Sequence, residues 1–262
     1  MQAIDYAAPT TLDEAIAVKR DRRERARVLS GGTDIIVQVR EGRRPQVDML
    51  LDVKRIAETT RIELSDEGLT VGAAVPCYQI YENAEIARRW PALVDSASLI
   101  GGTQIQSRAS LGGNLCNASP AADSIPSLIA LGAQAQIAGA NGRRSIPVEE
   151  FCVGPGQSAL ADDEILVSLF FPAQPPRSGS RFLRFIPRNE MDIAVANAAV
   201  ALTLDATGTV SAARVAIGAV APTPLLVPEA GAALVGQPPT AEAIERAVQA
   251  AVGAARPITD MR

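Results

Sequence analysis

Residues 100–131 read IGGTQIQSRASLGGNLCNASPAADSIPSLIAL, and this stretch is the most informative part of the sequence for fold and function. It mixes glycines with many small polar side chains, although Leu111, Leu115, Ile125 and Leu128 are expected to be buried. Polar groups in a buried stretch need hydrogen-bond partners, and a bound polar ligand is the simplest source of them. A solvated loop is the weaker alternative. The polar side chains are Thr103, Gln104, Gln106, Ser107, Ser110, Asn114, Asn117, Ser119 and Asp123.

Two Gly-Gly pairs lie where a predicted strand turns into a predicted helix. The first is in residues 30–34, SGGTD, and the second is in residues 110–115, SLGGNL. Glycine permits positive φ, and it lacks the Cβ that would keep a phosphate oxygen away from backbone N–H groups. Neither pair matches the dinucleotide fingerprint or the P-loop pattern. A tight turn explains either pair taken alone, but both pairs together with the polar stretch predict a phosphate-bearing ligand.

The composition limits the chemistry that side chains could perform. The 262 residues include no histidine, so the chain has no Ser-His-Asp or Cys-His catalytic group and no histidine metal ligand. Cys77, Cys116 and Cys152 are widely spaced, show no zinc or iron–sulfur spacing, and are expected to be small buried thiols. A cofactor is therefore expected to supply any redox chemistry.

Charge and hydropathy indicate the kind of partner and the compartment. The net charge of −4 and the pI of about 5.1 argue against a nucleic-acid partner, because nucleic-acid-binding proteins usually carry a basic patch. Residues 1–15, MQAIDYAAPTTLDEA, show neither the basic nor the apolar region of a signal peptide. No window approaches the roughly 18 apolar residues of a membrane span. We therefore expect a cytoplasmic protein without a transmembrane segment.

The hydrophobic pattern predicts two domains. Thr11 and Glu14 give a capping-box signal at the start of a helix, and strands alternate with helices over the first fifty or so residues. The segment PAQPPRSG, residues 172–179, is predicted to be a linker. We place one domain at 1–174, with subdomains at about 1–57 and 58–174, and a second domain at 178–262.

The individual elements follow from apolar runs and turn signals. Asn141-Gly142 is a strong hairpin signal, and Pro91 suits the first turn of a helix. In the first domain the predicted strands are 27–29, 47–52, 69–75, 134–138, 145–148 and 165–171, and helices are predicted after 35, at 80–87, after 91 and at 124–131. In the second domain the predicted strands are 181–186, 193–204 and 210–220, and the predicted helices are 225–234 and 241–254.

The segment SGGTDI at residues 30–35, followed at this distance by SLGGNLCNASPAADSIPSL at residues 110–128, resembles the flavin subunit of the molybdenum hydroxylases. That family includes the medium subunit of aerobic carbon monoxide dehydrogenase and the flavin domain of xanthine dehydrogenase. The resemblance covers nearly the whole chain, including residues 191–194, MDIA, and 255–258, ARPI. It implies an α+β fold: a two-subdomain FAD-binding fold of the vanillyl-alcohol oxidase type, plus a C-terminal domain of three antiparallel strands with helices.

The resemblance implies that both Gly-Gly loops hold the pyrophosphate of FAD through backbone N–H groups. Asn117 and Asp123 are implied to hydrogen-bond the ribityl or ring region, with capping of the following helix as an equally weighted alternative for Asp123. Arg184 and Arg188 match positions that approach the flavin, although xanthine dehydrogenases carry a lysine where Arg184 stands. Asp192 could pair with either arginine as a structural ion pair. The implied cofactor-binding residues are Ser30, Gly31, Gly32, Thr33, Asp34, Ile35, Ser110, Gly112, Gly113, Asn114, Asn117, Asp123, Arg184 and Arg188.

The resemblance also implies an oxidoreductase subunit that works inside a larger complex. Substrate would be hydroxylated at a molybdenum pterin on a large subunit. Electrons would then pass through two-iron iron–sulfur clusters on a small subunit to the FAD of this chain, and from there to an external acceptor. The expected assembly is a dimer of heterotrimers, with no catalytic residue and no metal ligand on this chain. The substrate and the acceptor, whether NAD, quinone or oxygen, are left open.

Two alternatives come from other functional classes. A stand-alone flavin oxidoreductase of the same fold would use its own acids and bases and often anchors flavin through histidine or cysteine. The absence of histidine counts against that alternative. A non-catalytic nucleotide-binding module would use the same two loops without electron transfer.

Overall fold

A computed structural model describes residues 3–188 and 191–259, so the outermost ends of the predicted domains lie outside the described residues. The chain begins with a small parallel sheet of strand order β1-β3-β2. The predicted capping box is confirmed, because the Thr11 hydroxyl accepts from the Glu14 N–H while the Glu14 carboxylate accepts from the Thr11 N–H. The elements are β1 (Asp5–Ala7), α1 (Leu12–Arg22), β2 (Ala26–Leu29), α2 (Ile35–Arg40) and β3 (Met49–Asp52).

A larger region with an antiparallel sheet follows. Its strand order is β4-β5-β10-β6-β7, so the last of these five strands in the sequence lies at the centre of the sheet. The predicted hairpin at Asn141-Gly142 is confirmed between β6 and β7. The elements are α3 (Ala57–Thr60), β4 (Ile62–Leu64), β5 (Gly68–Gly72), α4 (Cys77–Tyr81), α5 (Ala84–Arg89), α6 (Pro91–Ala97), α7 (Thr103–Gln106), α8 (Leu111–Asn117), α9 (Ser124–Ala130), β6 (Gln134–Gly139), β7 (Gly142–Pro147), β8 (Cys152–Gly154), β9 (Gln157–Ser158) and β10 (Ile165–Pro172).

The C-terminal region is an antiparallel sheet of order β11-β12-β13-β14 with two helices against it. The three long strands match the predicted ones, and the short β14 extends the sheet at its edge. The elements are β11 (Ser178–Phe185), β12 (Ala196–Leu204), β13 (Val210–Gly218), β14 (Leu225–Leu226), α10 (Pro228–Ala232) and α11 (Ala241–Ala254).

One hydrophobic core joins the antiparallel region to the C-terminal sheet. Trp90, Phe151 and Phe171 are fully buried in it, and Phe182 of β11 belongs to the same cluster. The backbone N–H of Phe182 donates to a carboxylate oxygen of Asp95 in α6 at 3.2 Å. The C-terminal sheet is therefore fixed directly against α6 and α9, which places β11 beside the polar stretch that precedes α9.

Two predicted helices differ from the observed elements. The helix predicted at 80–87 is divided into α4 and α5, because the Asn83 side chain accepts from the N–H groups of Glu85 and Ile86 and so starts a new helix. In the helix predicted at 225–234, Leu225 and Leu226 instead pair with β13, and only α10 is helical. No helix in the described part of the chain is long and apolar enough to cross a membrane.

Candidate functional site

Both Gly-Gly loops line a single cleft between the small parallel sheet and α8. The cleft contains about 1230 Å³ of empty space, part of it open to solvent. The loops also touch one another, because Ser30 Oγ and Ser110 Oγ share a hydrogen bond of 2.9 Å. The structure therefore brings together most of the predicted residues. Those that line the cleft are Ser30, Gly31, Gly32, Thr33, Asp34, Ile35, Ser110, Gly112, Gly113, Asn114 and Asn117.

The four glycines of the loops are required for different reasons. A Cβ on Gly31 would lie 2.0 Å from the carbonyl oxygen of Arg108, and one on Gly112 would lie 2.4 Å from the carbonyl oxygen of Ala73. These two glycines let backbone segments approach one another. Gly32 has a φ of +80°, a left-handed conformation that disfavours other residues.

Gly113 is the glycine that faces open space. A Cβ there would have only the Ser110 hydroxyl within 4 Å, at 3.1 Å. Ser110 caps α8, since its Oγ accepts from the Gly113 N–H at 3.0 Å. Room for a ligand, which the sequence predicts at both loops, is therefore left at Gly113, whereas Gly31 and Gly112 are explained by packing of the chain on itself.

The two predicted asparagines are held by polar neighbours. Asn114 Oδ1 accepts from the Ser124 hydroxyl at 2.6 Å, which ties α8 to the start of α9. Asn117 Oδ1 accepts from Gln38 Nε2 at 2.9 Å, which ties α8 to α2 across the cleft. Both side chains thus hold the walls of the cleft in place.

Asp123 and Arg184 form a buried ion pair outside the lining of that cleft. Arg184 Nη1 donates to Asp123 Oδ2 at 2.8 Å, and the two side chains are only 6% and 13% exposed. Burial raises the pKa of Asp123 to about 6, although the charge and hydrogen bond of Arg184 oppose that rise. Asp123 stands at the predicted N-cap position of α9, but its carboxylate makes no capping bond to that helix. The Arg184 side chain is committed to Asp123 and is not paired with Asp192.

Arg188 lies apart from the other predicted residues. It is exposed and pairs with Asp192 at 3.3 Å, which is the structural ion pair that the sequence left open. The hydrogen bond to Arg188, with burial opposing it, lowers the pKa of Asp192. The structure thus brings Arg184 to Asp123 but leaves Arg188 in a separate pair.

Several residues in or beside the cleft were not predicted from the sequence. Lys19 and Arg27 line it, and burial lowers the pKa of Lys19 to about 8 and also lowers that of Arg27. Lys54 donates to the Ser30 carbonyl at 2.9 Å. These positions carry no glycine or motif signal. The one available signal was composition, since Lys19 and Lys54 are the sole lysines in the sequence.

The cleft is lined by groups that can bind a polar ligand. Within residues 3–188 and 191–259, no cluster of three acidic or cysteine side chains is placed to hold a metal ion. Cys116 lines the cleft, but burial raises the pKa of its thiol to about 12, so the reactive thiolate is scarce at neutral pH. The arrangement suits a large polar ligand held by loop backbone, small polar side chains and the charged groups of the lining.

Comparisons with known proteins identify the family of both parts of the chain. Residues 2–174 match the family described as "FAD binding domain in molybdopterin dehydrogenase", and residues 181–262 match "CO dehydrogenase flavoprotein C-terminal domain". The chain is 36% identical over 222 residues to the xanthine dehydrogenase FAD-binding subunit of Escherichia coli O157:H7, covering 84% of this chain and 75% of that protein. It is 30% identical over 258 residues to the carbon monoxide dehydrogenase medium chain of Hydrogenophaga pseudoflava, covering 98% and 89%.

Solved structures agree in fold over the whole length. A carbon monoxide dehydrogenase chain from Hydrogenophaga pseudoflava superposes with a TM-score of 0.93 at 30% identity, covering 99% of this chain and 90% of that one. A chain of quinoline 2-oxidoreductase from Pseudomonas putida 86 gives 0.88 at 28% identity, covering 99% and 89%. The α+β fold implied by the resemblance is confirmed. This chain therefore belongs to the FAD-binding subunit family of the molybdenum hydroxylases, of the carbon monoxide dehydrogenase and xanthine dehydrogenase type, and FAD is its cofactor.

Proposed function

We propose that this chain carries FAD between an electron-delivering partner subunit and an external electron acceptor. The observation that carries the proposal is the convergence of two loops, eighty residues apart, on one cleft in which Gly113 faces open space. The loops offer backbone N–H groups and small hydroxyls, which suit a pyrophosphate. Membership of the FAD-binding family identifies the ligand that this chemistry would hold.

The residues of the cleft fit the pyrophosphate half of the cofactor. The space beside Gly113, which a Cβ would fill, lies next to the Ser110 hydroxyl. We infer that the first loop, residues 30–35, and the second loop hold this group, as the sequence predicts. In the second loop the proposed residues are Ser110, Gly112, Gly113 and Asn114.

The Asp123–Arg184 pair supports placing the flavin end nearby. Asp123 Oδ1 is buried and has no hydrogen-bond partner among the described residues, so a donor on a ligand would satisfy it. We propose that Asp123 and Arg184, together with Asn117, contact the ribityl or ring region. Arg188 would join them only after leaving Asp192.

The contribution of the chain is binding and electrostatics. Bound FAD supplies the redox chemistry, because a flavin accepts electrons singly and releases two together. A guanidinium such as that of Arg184 near the ring's pyrimidine end would stabilise negative charge there and raise the reduction potential. Depth of burial strengthens that interaction, since screening by water is weak around Arg184.

We further propose that the partners are a large molybdenum-pterin subunit and a small iron–sulfur subunit, assembled with this chain as a dimer of heterotrimers. The support is the likeness to a carbon monoxide dehydrogenase medium chain and to a xanthine dehydrogenase FAD-binding subunit, both named as parts of larger enzymes. Because relatives are also named for nicotinate and 6-hydroxypseudooxynicotine, no substrate is assigned. The cytoplasm is the proposed compartment, and cell fractionation tests it.

Spectroscopy and reconstitution test the proposal. The purified chain should be yellow with a flavin absorbance spectrum, and its FAD should be reduced by substrate only when the partner subunits are present. Reduction by substrate without partners would favour a stand-alone oxidoreductase. A colourless protein that takes up no FAD would refute the proposal, and FAD that is never reduced in the complex would favour a non-catalytic binding module.

The division into domains at 1–174 and 178–262 also stands as a proposal. It is supported by the extents of the two family matches, 2–174 and 181–262. Limited proteolysis should cut first within residues 172–179 and leave two resistant fragments. First cleavage inside either proposed domain would contradict the division.

A further inference from the structure

The chain uses lysine in only two places. Of its 25 basic residues, Lys19 and Lys54 are the sole lysines, and each ammonium donates to backbone carbonyls beside β2. Lys19 Nζ donates to the carbonyls of Arg23 and Ala26, each at 3.1 Å, at the start of the strand. Lys54 Nζ donates to the carbonyl of Ser30 at 2.9 Å, directly after the strand ends. An ammonium has three donors on a compact centre and can reach converging acceptors that a planar guanidinium fits poorly.

Lys54 is itself held in position by neighbours on the parallel sheet. Its Nζ lies 2.7 Å from Asp52 Oδ1, and its backbone N–H donates to the same oxygen at 2.9 Å. The other carboxylate oxygen of Asp52 accepts from the Tyr6 hydroxyl at 2.7 Å. Burial alone would raise the pKa of Asp52, but these hydrogen bonds outweigh burial and lower it, so Asp52 stays ionised and keeps its hold on Lys54.

Ser30 connects Lys54 to the second loop through hydrogen bonds. Its carbonyl accepts from Lys54 while its hydroxyl shares a 2.9 Å bond with the Ser110 hydroxyl. Ser110 Oγ in turn accepts from the Gly113 N–H at 3.0 Å. A continuous series of hydrogen bonds thus runs from Tyr6 on the first strand to Gly113, the glycine that faces open space in the cleft.

We propose that Lys54 is a positioning residue for the dinucleotide, fixing the Ser30 peptide so that both loops present their N–H groups to one pyrophosphate. This inference rests on the proposed function, because it assigns a role toward the cofactor of that same cleft. Lys54 does not line the cleft and acts through Ser30. Without its ammonium, the Ser30 carbonyl is free to turn, and the first loop loses its fixed orientation toward the second.

The test is FAD affinity of the full-length apo-protein, measured by titration of flavin fluorescence. Lys54→Met should raise the Kd for FAD by about tenfold or more, the loss expected for about one charge-assisted hydrogen bond. Lys54→Arg keeps the charge, but its planar guanidinium fits the converging Ser30 and Asp52 acceptors poorly, so it should recover only part of the affinity. The matched control is Arg55→Met, which removes the same charge from the next, exposed residue and should change the Kd less than twofold.

Two further measurements separate positioning from a general structural role. Tyr6→Phe should weaken FAD binding by about threefold in the wild-type background and have no effect in Lys54→Met, because both act through one series of bonds. Lys54→Met should lower the melting temperature of the apo-protein, because the buried Asp52 loses its ion-pair partner, so the deciding readout is the increase in melting temperature caused by FAD, which should shrink.

The outcomes are distinct for the two proposals. An unchanged Kd in Lys54→Met, or a loss equally large in Arg55→Met, overturns the positioning role while leaving FAD binding intact. Wild-type protein that takes up no FAD overturns the proposed function itself. If Lys54→Met does not fold, wild-type affinity in Tyr6→Phe overturns the positioning role.

Discussion

Replacing Gly113 by valine tests the cleft most directly, because the geometry there separates binding from folding. Gly113 sits in the first turn of α8, and only the Ser110 hydroxyl lies within 4 Å of where its Cβ would be. Valine has a better helix propensity than glycine, which offsets the small adjustment that the hydroxyl must make. We expect the unfolding free energy of the apo-protein to change by less than about 1 kcal/mol.

The expected loss of FAD binding is much larger. The valine side chain would occupy the space beside the loop backbone and hold a phosphate away from it. Losing about two charge-assisted hydrogen bonds, at about 1.5–3 kcal/mol each, corresponds to at least a hundredfold rise in Kd. The purified Gly113→Val protein should therefore be nearly colourless.

The assay is FAD content after purification, from the ratio of flavin to protein absorbance, followed by titration of the apo-protein with FAD. Gly253→Val is the matched control, since Gly253 is an exposed glycine of α11 with open space around its Cβ position. It shares the change in helix propensity but lies outside the cleft lining. Wild-type FAD content in Gly113→Val, or equal loss in Gly253→Val, would refute the reasoning.

Three further perturbations have calculable outcomes. Burial raises the pKa of Asp123 to about 6, so the protonated acid favours the folded state, and stability that is present below pH 4 is lost as pH rises through 6. Urea unfolding should therefore show Asp123→Asn gaining about 2 kcal/mol relative to wild type between pH 4 and pH 7, and a pH-independent difference would contradict the assignment. Gly31→Ala should lower the free energy of unfolding by more than about 2 kcal/mol, because the added Cβ would lie 2.0 Å from the Arg108 carbonyl oxygen. An unchanged melting temperature would contradict this and show that the two backbone segments can separate freely. Partial burial raises the pKa of Cys116 to about 12 and of Cys152 to about 11, so iodoacetamide at pH 8 should label both slowly until urea unfolds the chain. Fast labelling of the native protein would contradict these raised pKa values.

Features that depend on a few neighbouring residues could be predicted from the sequence. The capping box at Thr11, the hairpin at Asn141-Gly142 and proline in the first turn of α6 are all confirmed. Each rests on contacts within four residues, where side-chain chemistry and backbone geometry are directly linked. Periodicity alone failed at Asn83, whose capping bonds divide a helix, and at Leu225–Leu226, where pairing with β13 overrides helical preference.

The location of the cleft could be predicted, but the partners of its residues could not. Small polar groups among glycines indicated a ligand, and the loops they occupy do meet. Asp123 finds Arg184 across 61 residues of chain, and Gly31 is required by the backbone of Arg108, a contact that no local pattern reveals. Lys54 belongs to no sequence motif, because its contacts depend on how β1, β2 and β3 lie beside one another in the parallel sheet.

The order of strands in the larger sheet has a consequence for biosynthesis. β10 lies between β5 and β6 in this sheet. The N–H of Ala73 donates to the Val167 carbonyl of β10, and Gly112 of the second loop packs against Ala73. About 60 residues separate the second loop from the end of β10. At a synthesis rate of about 5–20 residues per second, about 3–12 s pass between synthesis of the loop and completion of this strand. Both Gly-Gly loops are synthesised before β10, the strand that supports the second loop through Ala73. FAD therefore binds only when synthesis of this domain is nearly complete. A chain truncated before β10 would contain both glycine loops but no complete binding site.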